Sequence, residues 1–231
     1  MKNRGEMQAV LFDMDGTLIN SEPYWLIAEK ALMLRFGHIW SDNDQAFCLG
    51  GPLPKVGAFM SQLSGFKENA EYFEKELVRI VAKEFENGLH FMPGAKELVE
   101  DLVREEMPMA LVSASPRLLV DGALALLPQD TFRISISNQD VKTSKPNPES
   151  YLTAADLLGV DIRCCLVLED SKTGIDAGLA SGAVVIGIPH IITYPASPRL
   201  HIRKDLLGLN REKLEEIYVE ESRGEKIASR V

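Results

Sequence analysis

Short apolar runs alternating with amphipathic stretches define the texture of this chain. Residues 9–12 (AVLF) read as a buried strand, and the polar turn Asp13-Met14-Asp15-Gly16-Thr17 follows at once. From 22 to 36 the period becomes helical, with Trp25, Ala28, Leu32 and Phe36 three and four residues apart. Gly50-Gly51-Pro52, with Pro54, breaks the pattern. Residues 55–64 and 68–86 again read as helices, and no strand is evident between Ile19 and His90. After Met92-Pro93-Gly94 helices and strands alternate. The helices span 95–105, 116–127, 148–158 and 171–181; the strands span 109–113, 133–137, 164–168 and 183–188. The tail from Glu220 is charged and reads as a frayed end.

Apolar strands separated by helices predict an α/β fold, a Rossmann-like parallel sheet covered on both faces. The helical stretch interrupts this series after its first strand. The expected organisation is therefore a core of residues 1–19 and 91–231, with residues 20–90 inserted as an α-helical cap domain over the end of the sheet.

Composition narrows the possibilities. The 231 residues are 45 % hydrophobic and 26 % charged, ordinary for a globular protein, and the net charge of −9 disfavours nucleic acid and anionic membrane as partners. No apolar run approaches the roughly 20 residues of a membrane span. The AVLF run is too short for a signal-peptide core, so a cytoplasmic location is expected. Cys48, Cys164 and Cys165 form no CxxC and read as reduced, buried thiols. The four histidines show no metal-ligand spacing.

In open parallel sheets, ligands bind beyond the carboxyl ends of the strands. Asp13 and Asp15 follow the first strand, Ser113-Ala114-Ser115 the MALV strand, and Glu169-Asp170 the CCLVL strand, while Lys145 precedes the helix at 148. Singly, each has a plain reading: a solvated turn, a strand-end cap, a surface lysine, acids in a first helical turn. Together they deliver acid pairs, a hydroxyl and an ammonium to one rim. Crowded carboxylates repel unless a cation lies between them, and all-oxygen ligands select a hard ion, Mg²⁺ before Ca²⁺. Lys145 offsets part of the charge and can hold an anion. Ser113, with the amides of the helix start after it, makes a phosphate cradle. The sum is a site for a phosphoryl group bound to Mg²⁺. Gly174, Gly178 and Gly182 read as small residues for close helix packing, and Trp25 as core of the helical stretch or of its interface with the sheet domain before a substrate stack.

The segments FDMDGTL (12–18), LVSASP (111–116), SKPNPESY (144–151) and LEDSKTGIDAGLASG (168–182) resemble the haloacid dehalogenase-like superfamily, and within it the beta-phosphoglucomutase-like phosphatases with a helical cap. The resemblance implies an Mg²⁺-dependent phosphatase acting on a small phosphate monoester, a sugar phosphate such as a hexose phosphate. It implies Asp13 as nucleophile forming an aspartyl phosphate, and Asp15 as general acid and base. Ser113, the Ala114 amide and Lys145 would hold the phosphoryl oxygens. Asp13, the Asp15 carbonyl and Asp170 would bind Mg²⁺, with Glu169 a direct or water-mediated partner. Substrate choice would lie in the cap, near Gly50-Gly51 and Lys55. Lys55 could reach a second anionic group, but it reads first as a solvated surface lysine. Asp15 disfavours a dehalogenase. Mutases of this type place a histidine where Trp25 stands, which favours hydrolysis over a mutase. Lys55 also keeps open a phosphonoacetaldehyde hydrolase, which carries a cap lysine. A non-catalytic binding protein would lack Asp13, Asp15 or Lys145, all of which are present. A monomer or weak homodimer is expected.

Overall fold

A computed structural model describes residues 6–49, 51–189 and 194–228. Its centre is a six-stranded, wholly parallel sheet in the order β3-β2-β1-β4-β5-β6. The strands are β1 Ala9–Phe12, β2 Met109–Val112, β3 Ile134–Ile136, β4 Cys165–Glu169, β5 Val184–Gly187 and β6 Leu200–Ile202. Side chains alternate across the pleat. Val10, Phe12, Leu111, Leu166 and Leu168 face a cluster shared with α5 (Ala95–Arg104), α6 (Arg117–Leu124) and α9 (Arg211–Ala228). Leu11, Val112, Cys165 and Val167 face the other way, onto α7 (Glu149–Leu158) and α8 (Lys172–Ser181). Both faces are covered, so β1, β2 and β5 are buried and apolar along their length rather than alternating, as their sequences required, whereas the edge strands β3 and β6 carry Ser135 and His201.

Four helices lie between β1 and α5: α1 Glu22–Leu34, α2 Asp42–Cys48, α3 Leu53–Leu63 and α4 Ala70–Phe85. Helices α1 and α3 both pack on α4, which also meets α6. Tyr24 of α1 meets Phe85 of α4 edge to face at 5.1 Å. The chain enters and leaves this helical group through two paired segments. Ile19 bridges Phe91, the Asn20 amide donates to the His90 carbonyl at 2.7 Å, and the Met92 amide donates to the Leu18 carbonyl at 3.0 Å.

Three elements go beyond the sequence reading. Helix α2 is short and held by a capping box in which Ser41 and Asp44 satisfy each other's backbone amides. Strand β6 has three residues, and its parallel pairing with β5 defines it. Helix α9 continues through Ala228, past the Glu220 boundary expected to fray. Leu214, Ile217 and Tyr218, three and four apart, bury its inner side. The three cysteines are free and buried, as expected. Among the described residues, no helix is long and apolar enough to cross a membrane.

Candidate active site

Register brings the chemistry together. Phe12 lies beside Leu168 on one side and Leu111 on the other. The next residues along these strands, Asp13, Glu169 and Val112, therefore share the carboxyl edge of the sheet at its centre. The order 3-2-1-4-5-6 places the topological switch at this point. The Asp13 amide is pinned to the Leu168 carbonyl at 3.0 Å. Glu169 is the last residue of β4 rather than the first of the following loop.

Lys145 closes the cluster from the segment before α7. Its ammonium donates to Asp13 Oδ1 at 2.6 Å, Glu169 Oε1 at 2.7 Å and the Val112 carbonyl at 2.9 Å. All three N–H donors are thereby used, on a side chain only 3 % exposed. Burial works against this charge, but Asp13 and Glu169 outweigh it and hold the ammonium well above its usual pKa. Burial, reinforced by Glu169, pushes the Asp13 carboxyl well above the usual range despite Lys145. Burial and Glu169 also raise Asp170, to about 7. The common cause is one ammonium among several desolvated carboxylates, which leaves the group short of positive charge.

Glu169 is the best-held acid of the set. Oε1 accepts from Lys145 and from the Tyr151 hydroxyl at 2.9 Å; Oε2 accepts from the Ser171 amide and the Ser171 hydroxyl, each at 3.1 Å. Gly174 makes room for it, since a Cβ there would sit 1.7 Å from Glu169 Oε1. Its role is thus clearance for a buried carboxylate, whereas Gly178 does face strand side chains, Val185 and Val167. Gly182 ends α8 in the left-handed conformation with φ +88°. Gly174→Ala is expected to lower stability by about 3 kcal/mol, because neither the carboxylate nor the helix can retreat. Urea denaturation measures this, and a loss below about 1 kcal/mol would contradict the packing.

Asp15 is held differently. Its Oδ2 accepts from Ser113 Oγ at 3.2 Å and Ser115 Oγ at 2.7 Å, while Ser113 Oγ in turn accepts from the Ser115 amide at 2.9 Å. Asp15 Oδ1 and Asp170 Oδ1 are both buried without a hydrogen-bond partner among the described residues. Gly16, at φ +84°, shapes this turn, and a Cβ there would fall 2.2 Å from Asp170 Oδ2. Ligand oxygens of Asp13, Glu169 and Asp170 lie within 4.8 Å of one another, close enough to surround one cation. Buried, partnerless oxygens on hard ligands match the needs of Mg²⁺.

The structure therefore unites Asp13, Asp15, Ser113, Lys145, Glu169 and Asp170, with Ala114 exposed beside Ser113. Gly51 and Lys55 lie in the helical insertion. No hydrogen bond or ion pair joins them to this group among the described residues, and Gly50 falls outside those residues. Lys55 donates to the Phe47 carbonyl at 3.0 Å and sits 4.2 Å over the Phe47 ring. Sequence reasoning missed Ser115, Tyr151 and Ser171 as partners of the acids. All three lie inside the quoted motifs, but which acid each one touches is a matter of tertiary geometry.

The fold and site are those of an α/β protein that gathers a lysine-held aspartate and further acids at the carboxyl edge of a parallel sheet. The family model for haloacid dehalogenase-like hydrolases matches residues 10–188, and the chain belongs to that family. It is 32 % identical over 223 residues to hexitol phosphatase B of Escherichia coli O157:H7, covering 90 % of this chain and 100 % of that one. It is 27 % identical over 186 residues to a phosphorylated carbohydrates phosphatase of Thermotoga maritima, covering 80 % and 86 % of the two chains. The fold matches a beta-phosphoglucomutase structure from Clostridium difficile with a TM-score of 0.73 at 21 % identity, covering 93 % and 98 %.

Proposed function

We propose that this protein is an Mg²⁺-dependent phosphatase that hydrolyses a small phosphate monoester, a sugar or sugar-alcohol phosphate, through an aspartyl phosphate on Asp13. The observation that carries the reading is the Asp13 carboxylate, fixed by Lys145 at the sheet edge with the partnerless oxygens of Asp15 and Asp170 beside it. The phosphatase relatives support the same class.

In this reading an Asp13 oxygen attacks phosphorus, forming the acyl-phosphate bond as the ester P–O bond breaks. Asp15 gives its proton to the leaving alkoxide, then takes one from the water that attacks phosphorus and releases Asp13. Ser113 and Ser115 occupy Oδ2 of Asp15 and so direct Oδ1 to that exchange. Lys145 neutralises the nucleophile before attack, and the Ser113 hydroxyl and Ala114 amide flank the place for the transferred oxygens.

Asp13, Asp170 and the Asp15 carbonyl would hold Mg²⁺. Glu169, with two donors on each oxygen, would act through Lys145 or a bridging water. When bound, the ion supplies positive charge to the phosphoryl oxygens and lowers mutual repulsion among the acids. Residues 20–90 are assigned as a cap domain, with the paired segments at Ile19 and Phe91 as its neck. Its closure would exclude water while the leaving group is activated.

The mutase alternative finds no histidine in α1, where Trp25 is packed against the core instead. The test is phosphate release from a panel of sugar, sugar-alcohol and nucleotide monophosphates, run beside an assay for 1-phosphate to 6-phosphate interconversion. Release that EDTA abolishes and Mg²⁺ restores is expected. Undiminished release without metal would remove the ion from the mechanism, and an isomerised product would make the protein a mutase.

A further inference from the structure

Helix α7 buries Tyr151, Ala154 and Ala155 in one cluster with Leu11, Val112, Cys165 and Val167 of the sheet. Tyr151 is the largest fully buried side chain among the described residues. A phenylalanine would fill the same space, and the hydroxyl carries a desolvation cost that packing alone does not explain. What explains it is where the ring delivers that hydroxyl. It donates to Glu169 Oε1 at 2.9 Å, the same oxygen that accepts from Lys145 at 2.7 Å. The Lys145 ammonium in turn lies over the Tyr151 ring, 4.9 Å from its centre. Tyr151 therefore touches both members of this ion pair, the acid through its hydroxyl and the ammonium through its ring.

The ammonium is divided between two acids. Asp13 Oδ1 takes one N–H at 2.6 Å and Glu169 Oε1 another, with the third on the Val112 carbonyl. In the phosphatase reading Asp13 gives up its charge when its oxygen joins phosphorus, whereas Glu169 keeps its own. Glu169 would then draw the ammonium away just as the phosphoryl oxygens need it. The carboxylate is not free to turn, because Ser171 holds Oε2 through its amide and its hydroxyl. The Tyr151 hydroxyl is placed to oppose this pull. A second donor on Oε1 disperses the charge of the very oxygen that faces Lys145. The ring face attracts the ammonium without competing for its N–H groups.

We propose that Tyr151 is a positioning residue for phosphoryl transfer: by donating to Glu169 Oε1 it loosens the hold of Glu169 on Lys145 and keeps the ammonium at the reacting centre. The assignment rests on the phosphatase reading above and extends it to a side chain that acts only through others.

The test is Tyr151→Phe, which removes the hydroxyl and keeps the ring. With Mg²⁺ present, phosphate release is measured on phenyl phosphate and glucitol 6-phosphate, together with thermal unfolding. Calorimetry measures binding of inorganic phosphate and of orthovanadate, a mimic of the transferring phosphoryl group. The expected result is a kcat about tenfold lower on both esters, with KM within about twofold. Orthovanadate should bind about tenfold more weakly and phosphate less than about threefold, since the transition-state mimic makes the larger demand on Lys145. The variant should stay folded, because Glu169 Oε1 keeps its bond from Lys145. In a Glu169→Gln background, adding Tyr151→Phe should change orthovanadate affinity by less than about twofold, since a neutral amide does not draw the ammonium. A hydroxyl that serves the core alone gives a lower Tm with kcat and orthovanadate affinity unchanged, and that result overturns the proposal. An unfolded Tyr151→Phe protein overturns it too, as does a full tenfold loss of orthovanadate affinity in the Glu169→Gln background. Failure of wild type to release phosphate from either ester overturns the phosphatase reading itself; wild-type release with Tyr151→Phe equally active overturns the Tyr151 assignment alone.

Discussion

Asp13→Asn is expected to remove turnover, by at least about 10⁴-fold, while leaving the fold in place. The amide keeps the size of the carboxyl and can still accept from Lys145 through its oxygen, but it has no anionic oxygen to attack phosphorus. Stability should change little, since burial and Glu169 already disfavour the Asp13 charge that the substitution deletes. Lys145 retains Glu169 as its counter-ion at 2.7 Å. Phosphate release under saturating substrate, paired with a urea melt, measures both quantities. Turnover within about a hundredfold of wild type would mean that another group attacks phosphorus.

Lys145→Met has the opposite profile, costing the fold as much as the chemistry. The substitution strands two buried carboxylates, Asp13 and Glu169, and the Val112 carbonyl, all of which meet the ammonium within 2.9 Å. Removing one partner of a buried ion pair costs about 3–5 kcal/mol, so a loss in that range is expected in the denaturant midpoint. Part of it is recoverable by protonation, which gives the loss a pH dependence. In the variant the Asp13 carboxyl, already raised by burial and Glu169, titrates above its unfolded value near 4, so the folded state binds the extra proton. Stability then falls as pH rises through the folded pKa, and the deficit should be smaller at pH 5 than at pH 8. Activity should fall about 10³-fold or more, because the nucleophile is neither oriented nor neutralised. Lys145→Arg should not restore it, since a planar guanidinium cannot reproduce three bonds from one tetrahedral nitrogen. A Lys145→Met protein as stable as wild type would show that the acids are neutralised by something else.

The two expectations differ because the residues occupy one cluster with opposite electrostatic roles. Asp13 adds to an excess of negative charge, and Lys145 relieves it. The chemistry needs both, but only the lysine is also a structural counter-ion.

Much of the core was legible in the chain because its central strands are short and almost wholly apolar. AVLF, MALV and CCLVL can be buried only between two layers of helices, so their sequence order and the helices between them implied a parallel sheet. The elements that escaped are those whose identity depends on a neighbour. Strand β6 exists through its pairing with β5, and helix α2 through a local cap too short to leave a period. Helix α9 is so rich in charged residues that Leu214, Ile217 and Tyr218 leave too weak a period to define a buried face in the sequence.

The candidate site divides along the same line. Asp13, Asp15, Ser113, Lys145, Glu169 and Asp170 stand at strand ends or next to helix starts, and strand ends on a parallel sheet converge, so the sequence determined which groups meet. It could not determine how they share protons and charge. That Lys145 spends all three donors within the cluster, that Glu169 is fully bonded while Asp170 Oδ1 is buried without a partner among the described residues, and that Gly174 leaves room for the Glu169 carboxylate follow from the tertiary placement of these groups. Outside the site, Glu29 of α1 lies wholly on this second side. In the sequence it is one more acid on an amphipathic helix, and only the packing of α1 turns it inward and leaves its Oε2 without a hydrogen-bond partner among the described residues, because burial and hydrogen-bond satisfaction belong to the assembled fold.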